Sequence, residues 1–313
     1  MHSSRLSRTD CSSAIRDMSD PLNVKDLITQ YQKPLIPLPA GVEEEGTLRE
    51  KVRGVLFDVY GTLFVSESGD ISIAQEGAFR KEGGRLSLLR ALFKRYGVES
   101  DVHEVLQRFF EEIRTVHEKR RAWGFVHPEV EIDRIWMDVL GLDGIETARR
   151  VAVEYESIVN PVYPMPHSLA TIEALKNRGI LIGLISNAQF FTPLLFEAFF
   201  GRTLDELGFS RTLVIFSFVH GAAKPSSLLF SHAAEALKKK KIKPRHALYV
   251  GNDMRNDIVP AAEAGFQTAL FAGDRRSLRL RKGDSHCAGI KPDLRITDLL
   301  SIVREVEERE KHA

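Results

Sequence analysis

Residues 54–63 read Gly54-Val55-Leu56-Phe57-Asp58-Val59-Tyr60-Gly61-Thr62-Leu63. A short apolar run, starting at Val52, ends in a carboxylate, with Gly61 and Thr62 three and four residues beyond it. That pattern predicts a buried strand delivering Asp58 to its C-terminal end, where open α/β sheets gather their chemistry. The residue two after the aspartate is Tyr60, and the choice between reactions turns on it.

Outward from this stretch the period changes. From about Ser66 to Asn160 the apolar residues fall at helical spacing: Leu86, Leu89, Leu92 and Phe93, then Val105, Leu106, Phe109, Phe110 and Ile113. Ile132 to Leu140 and Ala148 to Val159 continue the pattern, so about ninety residues of helix are expected, with Trp136 and Leu140 in their core. After Pro161 strands and helices alternate. A helix from His167 to Arg178 is stopped by Gly179 and followed by the strand Ile180–Ile185. Strands are also expected at Leu213–Ser217, Ala247–Val250 and Gln267–Phe271. The helices between them run from about Ser226 to Lys239 and from about Asp257 to Ala264, and one from Asp298 to Glu310 closes the chain. Repeated βα units predict an α/β fold with a parallel sheet covered by helices.

Upstream, residues 1–50 read as an N-terminal extension, partly disordered over the Ser-rich residues 1–20. A short helix is expected from Val24 to Tyr31, and an extended arm through Pro34, Pro37 and Pro39. Glu43, Glu44 and Glu45 read as a solvated acidic face. The remaining boundaries are 51–65 and 160–313 for the α/β core and 66–159 for a helical cap.

Bulk properties exclude several classes. With 313 residues, 43% hydrophobic and 28% charged, the chain has the composition of a soluble globular protein. A formal net charge of +1 gives no electrostatic reason for a nucleic-acid partner. Cys11 and Cys287 form no CxxC or Cys/His cluster, which argues against a disulfide framework or structural zinc. The apolar runs fall far short of the ~20 residues that cross a bilayer, and no secretory signal core is present, so no membrane partner is expected and the location is read as cytoplasmic.

Four expected strand ends carry polar residues that a purely structural sheet does not need: Asp58; Ser186 and Asn187; Lys224, in a Gly-Ala-Ala-Lys-Pro loop; and Asp253 and Asp257, in Gly251-Asn252-Asp253-Met254-Arg255-Asn256-Asp257. Taken singly each has a bland reading as a cap or a turn. In this order on successive βα units they resemble the four motifs of the haloacid dehalogenase superfamily, across roughly residues 51–300. The resemblance implies a Rossmann-like core and a helical cap inserted after the first motif. It also implies a covalent intermediate on Asp58, which water then hydrolyses. Lys224 would neutralise charge and Ser186 would hydrogen-bond the transferring group. Gly61, Thr62 and Asn187 are expected beside the substrate, Gly61 through backbone N–H groups and Thr62 chiefly as a cap of the turn.

Tyr60 and the acidic pair point in different directions. Phosphatases of the superfamily usually carry a second Asp where Tyr60 stands, serving as general acid and base. A tyrosine, with a reference pKa of about 10, suits a halide leaving group that needs no proton. Asp253 and Asp257, four apart, have instead the spacing of the superfamily's Mg²⁺ sites, with Mg²⁺ bridging Asp58, the backbone carbonyl of Tyr60 and one or both of the pair. The preferred expectation is a Mg²⁺-dependent hydrolase of a small phosphorylated substrate, a phosphate ester or acyl phosphate. The alternatives are a metal-independent 2-haloacid dehalogenase and a low-turnover homologue that binds a ligand or partner. Substrate choice is assigned to the cap. There Arg120, Arg121, Trp123 and His127 read first as a solvated face. Arg275, Arg276, Arg279 and Arg281 read first as surface residues and second as an anion contact.

Overall fold

The strands, in chain order, are β1 (Glu45–Gly46), β2 (Gly54–Phe57), β3 (Phe64–Ser66), β4 (Val162–Pro164), β5 (Leu181–Ser186), β6 (Phe209–Phe216), β7 (Ala247–Gly251), β8 (Gln267–Phe271) and β9 (Leu294–Ile296). The longer helices are α1 (Val24–Gln30), α2 (Gly84–Arg95), α3 (Val102–Ala122), α4 (Ile132–Leu140), α5 (Ile145–Val159), α6 (Ser168–Asn177) and α7 (Thr192–Phe200). They continue with the short α8 (Leu204–Leu207) and α9 (Ser217–His220), then α10 (Ser227–Lys239), α11 (Val259–Glu263) and α12 (Leu300–Lys311). This computed structural model describes residues 24–31, 33–68 and 84–311, so the disorder expected for residues 1–20 lies outside the described residues.

Seven strands form one sheet in the order β1-β9-β8-β7-β2-β5-β6, parallel except for the antiparallel edge strand β1. The strand that carries Asp58 lies between β5 and β7, with Phe57 opposite both Leu184 and Val250. Alternation along the strands builds a core on each face. Val55, Phe57, Leu248 and Val250 join one buried cluster with Ile172, Leu175 and Ile302. Leu56, Tyr249 and Ile185 join the other with Leu229, Phe230 and Leu237.

Strands β3 and β4 pair antiparallel and join the two crossings between the sheet and helices α2–α5. Ser66 Oγ donates to Asn160 Oδ1 at 2.8 Å across the same junction. Within the helices Trp136 is fully buried and stacks on Phe109 at 4.2 Å, as its helical spacing implied. The Asp101 side chain accepts from His103 N and starts α3, and Gly141 ends α4 in the left-handed conformation.

The extension corrects one expectation. Glu44 is not merely a solvated charge, because its Oε1 accepts from Thr297 N at 2.7 Å, Asp298 N at 3.2 Å and Ser301 Oγ at 3.0 Å at the start of α12. A carboxylate placed on the free N–H groups of a helix start satisfies them and faces the positive end of the dipole. Helix α1 packs against α5 and α7 with Ile28 buried, and the Tyr31 hydroxyl reaches buried Glu154 at 3.1 Å. Elements β1, β3, β4, β9 and α7 are absent from the sequence reading. The first four are too short for a periodicity signal. In α7, Thr-Pro-Leu-Leu-Phe-Glu-Ala-Phe-Phe is apolar almost all round and shows no stripe.

Candidate active site

Asp58 follows β2 directly and its N–H donates to Val250 O at 2.9 Å, so the nucleophile candidate leaves the sheet in register. The chain then turns tightly, with Leu63 N and Phe64 N both donating to Val59 O. Gly61 has φ +78°, and a Cβ there would stand 2.5 Å from both Asn252 Nδ2 and Ser277 Cβ. Only glycine meets both conditions. Its N–H donates to Phe64 O at 2.7 Å, which corrects the expectation that it faces a bound anion. Thr62 is fully buried and its hydroxyl donates to Asn252 Oδ1 at 3.4 Å, so it fastens the turn rather than lining a ligand.

Lys224 is the centre of charge. Its side chain is 3% exposed, with Nζ at 2.8 Å from Asp58 Oδ1 and 2.6 Å from Asp257 Oδ1. Nζ also donates to the Tyr249 hydroxyl at 3.2 Å. Burial works against the ammonium ion, but the carboxylates of Asp257 and Asp58 outweigh it and raise its pKa. Lys224 is therefore a fixed cation and not a proton donor near neutrality. Its backbone is clamped by Asn187, whose Oδ1 accepts Lys224 N at 2.7 Å. Asn187 thus positions the lysine, a role different from the expected substrate contact. Ser186 is fully buried at the end of β5, and its hydroxyl donates to Asn187 O at 3.2 Å.

The acidic pair divides its work. Asp257 Oδ2 accepts Asn252 N at 3.0 Å and Asp253 N at 2.9 Å, while Oδ1 takes Lys224 and lies 3.0 Å from the Tyr249 hydroxyl. Burial raises the Asp257 carboxyl above the ordinary range and Lys224 opposes it. Two backbone N–H donors and an ammonium decide in favour of the carboxylate. Gly251 makes room for this fold-back, since a Cβ there would come within 2.4 Å of Asp257 Cγ. Asp253 Oδ1 accepts Arg255 N and Asn256 N at the start of a π-helical turn, Met254–Ile258. Such turns insert a residue and often mark functional sites. Arg281 grips Asp253 with two bonds, Nε to Oδ1 at 3.1 Å and Nη2 to Oδ2 at 2.6 Å.

This donor set does not fit the expected Mg²⁺ site. Oxygen chemistry is right, but both carboxylates of the pair are already committed to backbone N–H groups, Lys224 and Arg281. Among the described residues no three His, Cys, Asp or Glu side chains gather so as to hold a metal ion. Asp58, Lys224 and Asp257 meet in one cluster, and Asp253 turns to Arg281.

Tyr60 is buried and its hydroxyl lies 3.0 Å from Thr192 Oγ1. Burial, then the charge of Glu156, raises its pKa well above that of free tyrosine. Asn252, Tyr249 and Ser277 escaped the sequence reading. A tyrosine inside the apolar run Ala247–Gly251 was the one available signal, because a buried hydroxyl needs a partner. The helical region reaches this site through residues 127–130. Ala223 N donates to His127 O at 2.8 Å and Glu129 N to Gly221 O at 3.0 Å, beside Lys224. Trp123 is 77% exposed and contributes nothing to the cluster.

A family model described as haloacid dehalogenase-like hydrolase matches residues 52–265. A glyceraldehyde 3-phosphate phosphatase from Methanopyrus kandleri is 27% identical over 82% of this chain and 98% of its own length. The fold resembles that of a 2-haloacid dehalogenase from Pseudomonas syringae pv. Tomato DC3000, with 20% identity, TM-score 0.50, and 83% of this chain and 99% of that one covered. A HAD phosphatase from Thermococcus onnurineus superposes at TM-score 0.48 with 21% identity over 81% of this chain and 97% of that one. No described helix is long and apolar enough to cross a membrane.

Proposed function

The chain belongs to the haloacid dehalogenase-like hydrolase family, and from that membership we propose that it hydrolyses a small phosphorylated substrate through a covalent intermediate on Asp58. The observation that carries the reading is Lys224 Nζ at 2.8 Å from Asp58 Oδ1, at the C-terminal end of a central parallel strand. The phosphatase relative, aligned over nearly its whole length, supports a phosphate ester or acyl phosphate as the substrate class. Residues 66–159 act as the cap over this site, and the reaction belongs to the cytoplasm.

In the first step an Asp58 oxygen attacks phosphorus and the bond to the leaving oxygen breaks. In the second, water attacks phosphorus, phosphate departs and the Asp58 carboxylate is restored. Lys224 compensates the negative charge that builds on the phosphoryl oxygens. Neither Tyr60 nor Lys224 supplies a proton near neutrality, since each holds its own. The reading therefore favours leaving groups that depart as stable anions, such as acyl or aryl oxygens. Tyr60→Phe is expected to lower kcat by less than about tenfold and leave the pH profile in place, because loss of a true proton shuttle costs about 10²–10⁴. A larger loss with a flattened profile would restore Tyr60 to the chemistry.

Mg²⁺ would have to compete for carboxylates that already have cationic partners. The same pairing, with Tyr60 in place of a second carboxylate, favours a second reading. In it Asp58 displaces halide from C2 of a 2-haloacid, and halide leaves without a proton. Purified protein should release phosphate from an aryl phosphate and no halide from 2-chloropropionate. Halide release without phosphate release would replace the first reading with the second.

A further inference from the structure

We propose that Arg281 serves as the resident cation of Asp253, so that a divalent ion reaches this carboxylate only by displacing the arginine. The two hydrogen bonds at 3.1 and 2.6 Å are a fork-to-carboxylate arrangement, which fixes direction as well as distance. The other partners of the acidic turn cannot yield. They are the backbone N–H groups of Asn252, Asp253, Arg255 and Asn256, together with Lys224, whose side chain is 3% exposed. Arg281 is the more accessible partner, with its side chain 35% exposed against 9% for Asp253.

The loop holds it there. Residues 279–281 run beside the acidic turn, with Arg279 N donating to Asn252 O and Met254 N to Arg279 O, both at 2.9 Å. Arg281 itself has φ +50°, a left-handed conformation that is unfavourable for a non-glycine residue and persists where surrounding structure imposes it. While the guanidinium is in place, a dication at Asp253 would meet a positive charge at bonding distance. Each of the three carboxylates, Asp58, Asp253 and Asp257, thus contacts a cationic side chain of the chain itself, Lys224 for Asp58 and Asp257 and Arg281 for Asp253.

The test is Mn²⁺ binding, followed by paramagnetic resonance of the free ion, on the full chain. It is independent of turnover, so failure of the phosphatase reading leaves it intact. Arg281→Gln should bind Mn²⁺ at least about tenfold more tightly than the unaltered protein, the effect of removing one adjacent positive charge. Arg281→Lys should stay close to the unaltered protein. The gain should vanish in the Arg281→Gln, Asp253→Asn double variant. Asp253→Asn alone should change affinity less than twofold, because that carboxylate is already occupied. Equal affinity of the unaltered protein and Arg281→Gln overturns the proposal. So does a gain that survives loss of Asp253, or a marked loss in Asp253→Asn alone.

Discussion

Asp58→Asn is expected to lower turnover by at least about four orders of magnitude, the scale seen when a covalent nucleophile is removed. An amide oxygen neither attacks phosphorus nor leaves as a carboxylate, so both steps of the proposed cycle fail together. The fold should survive, because Lys224 keeps Asp257 at 2.6 Å and Tyr249 at 3.2 Å when its bond to residue 58 weakens. Steady-state assay of both proteins, with melting curves alongside, separates lost chemistry from lost structure. Acid-quenched unaltered protein should carry labelled phosphate and the variant none. More than a tenth of the activity remaining in the variant would remove Asp58 from the role of nucleophile.

Lys224→Met is expected to damage both stability and turnover. It removes the cation that contacts the buried carboxylates of Asp58 and Asp257, and leaving such charges unpaired costs about 3–5 kcal/mol. At this chain length that is a fall in Tm on the order of 10 °C. Turnover should drop by about 10²–10³ as charge stabilisation at the transferring group is lost. The deficit should depend on pH in a stated direction. Burial already raises the Asp257 carboxyl, with Lys224 opposing, so the variant's folded-state pKa moves further up. A raised folded pKa means that the folded state binds more protons between the unfolded and folded values. Its penalty is then absent below the unfolded value and grows as pH rises through that window. Lowering pH from 8 to 5 should therefore narrow the Tm gap between variant and parent. A gap that is constant or widens on acidification would mean that packing, and not unpaired charge, sets the cost.

How far the sequence could be read depended on the kind of signal each residue carries. Strand β2 and the βα alternation after Pro161 declare themselves through apolar runs punctuated by glycine. Helices α2 to α5 declare themselves through three- and four-residue spacing. Asp58 was legible because a charge at the end of an apolar strand needs a reason, and Lys224, in a loop that opens a helix, was legible from its place in the order of the motifs. The roles of Gly61 and Asn187 were misread, and the partner of Thr62 was missed, for a common cause. Each is a polar or flexible residue near the reaction centre, and its partner lies in a segment remote in sequence: Ser277 and Asn252 for Gly61, Asn252 for Thr62, Lys224 for Asn187.

The sequence by itself determined that this is an α/β protein whose strand ends bring a carboxylate, a lysine and an acidic turn to one edge. Periodicity and order are enough for that, because parallel βα units place all strand C-termini on the same side. Only the tertiary structure decided what the carboxylates face. The spacing of Asp253 and Asp257 admits a shared metal, but the main chain folds Asp257 back beneath the turn toward Lys224. A loop that enters nearly thirty residues later delivers Arg281 to Asp253. Spacing restricts where two carboxylates sit along the chain; the charges that meet them arrive from elsewhere, and only packing sets that encounter.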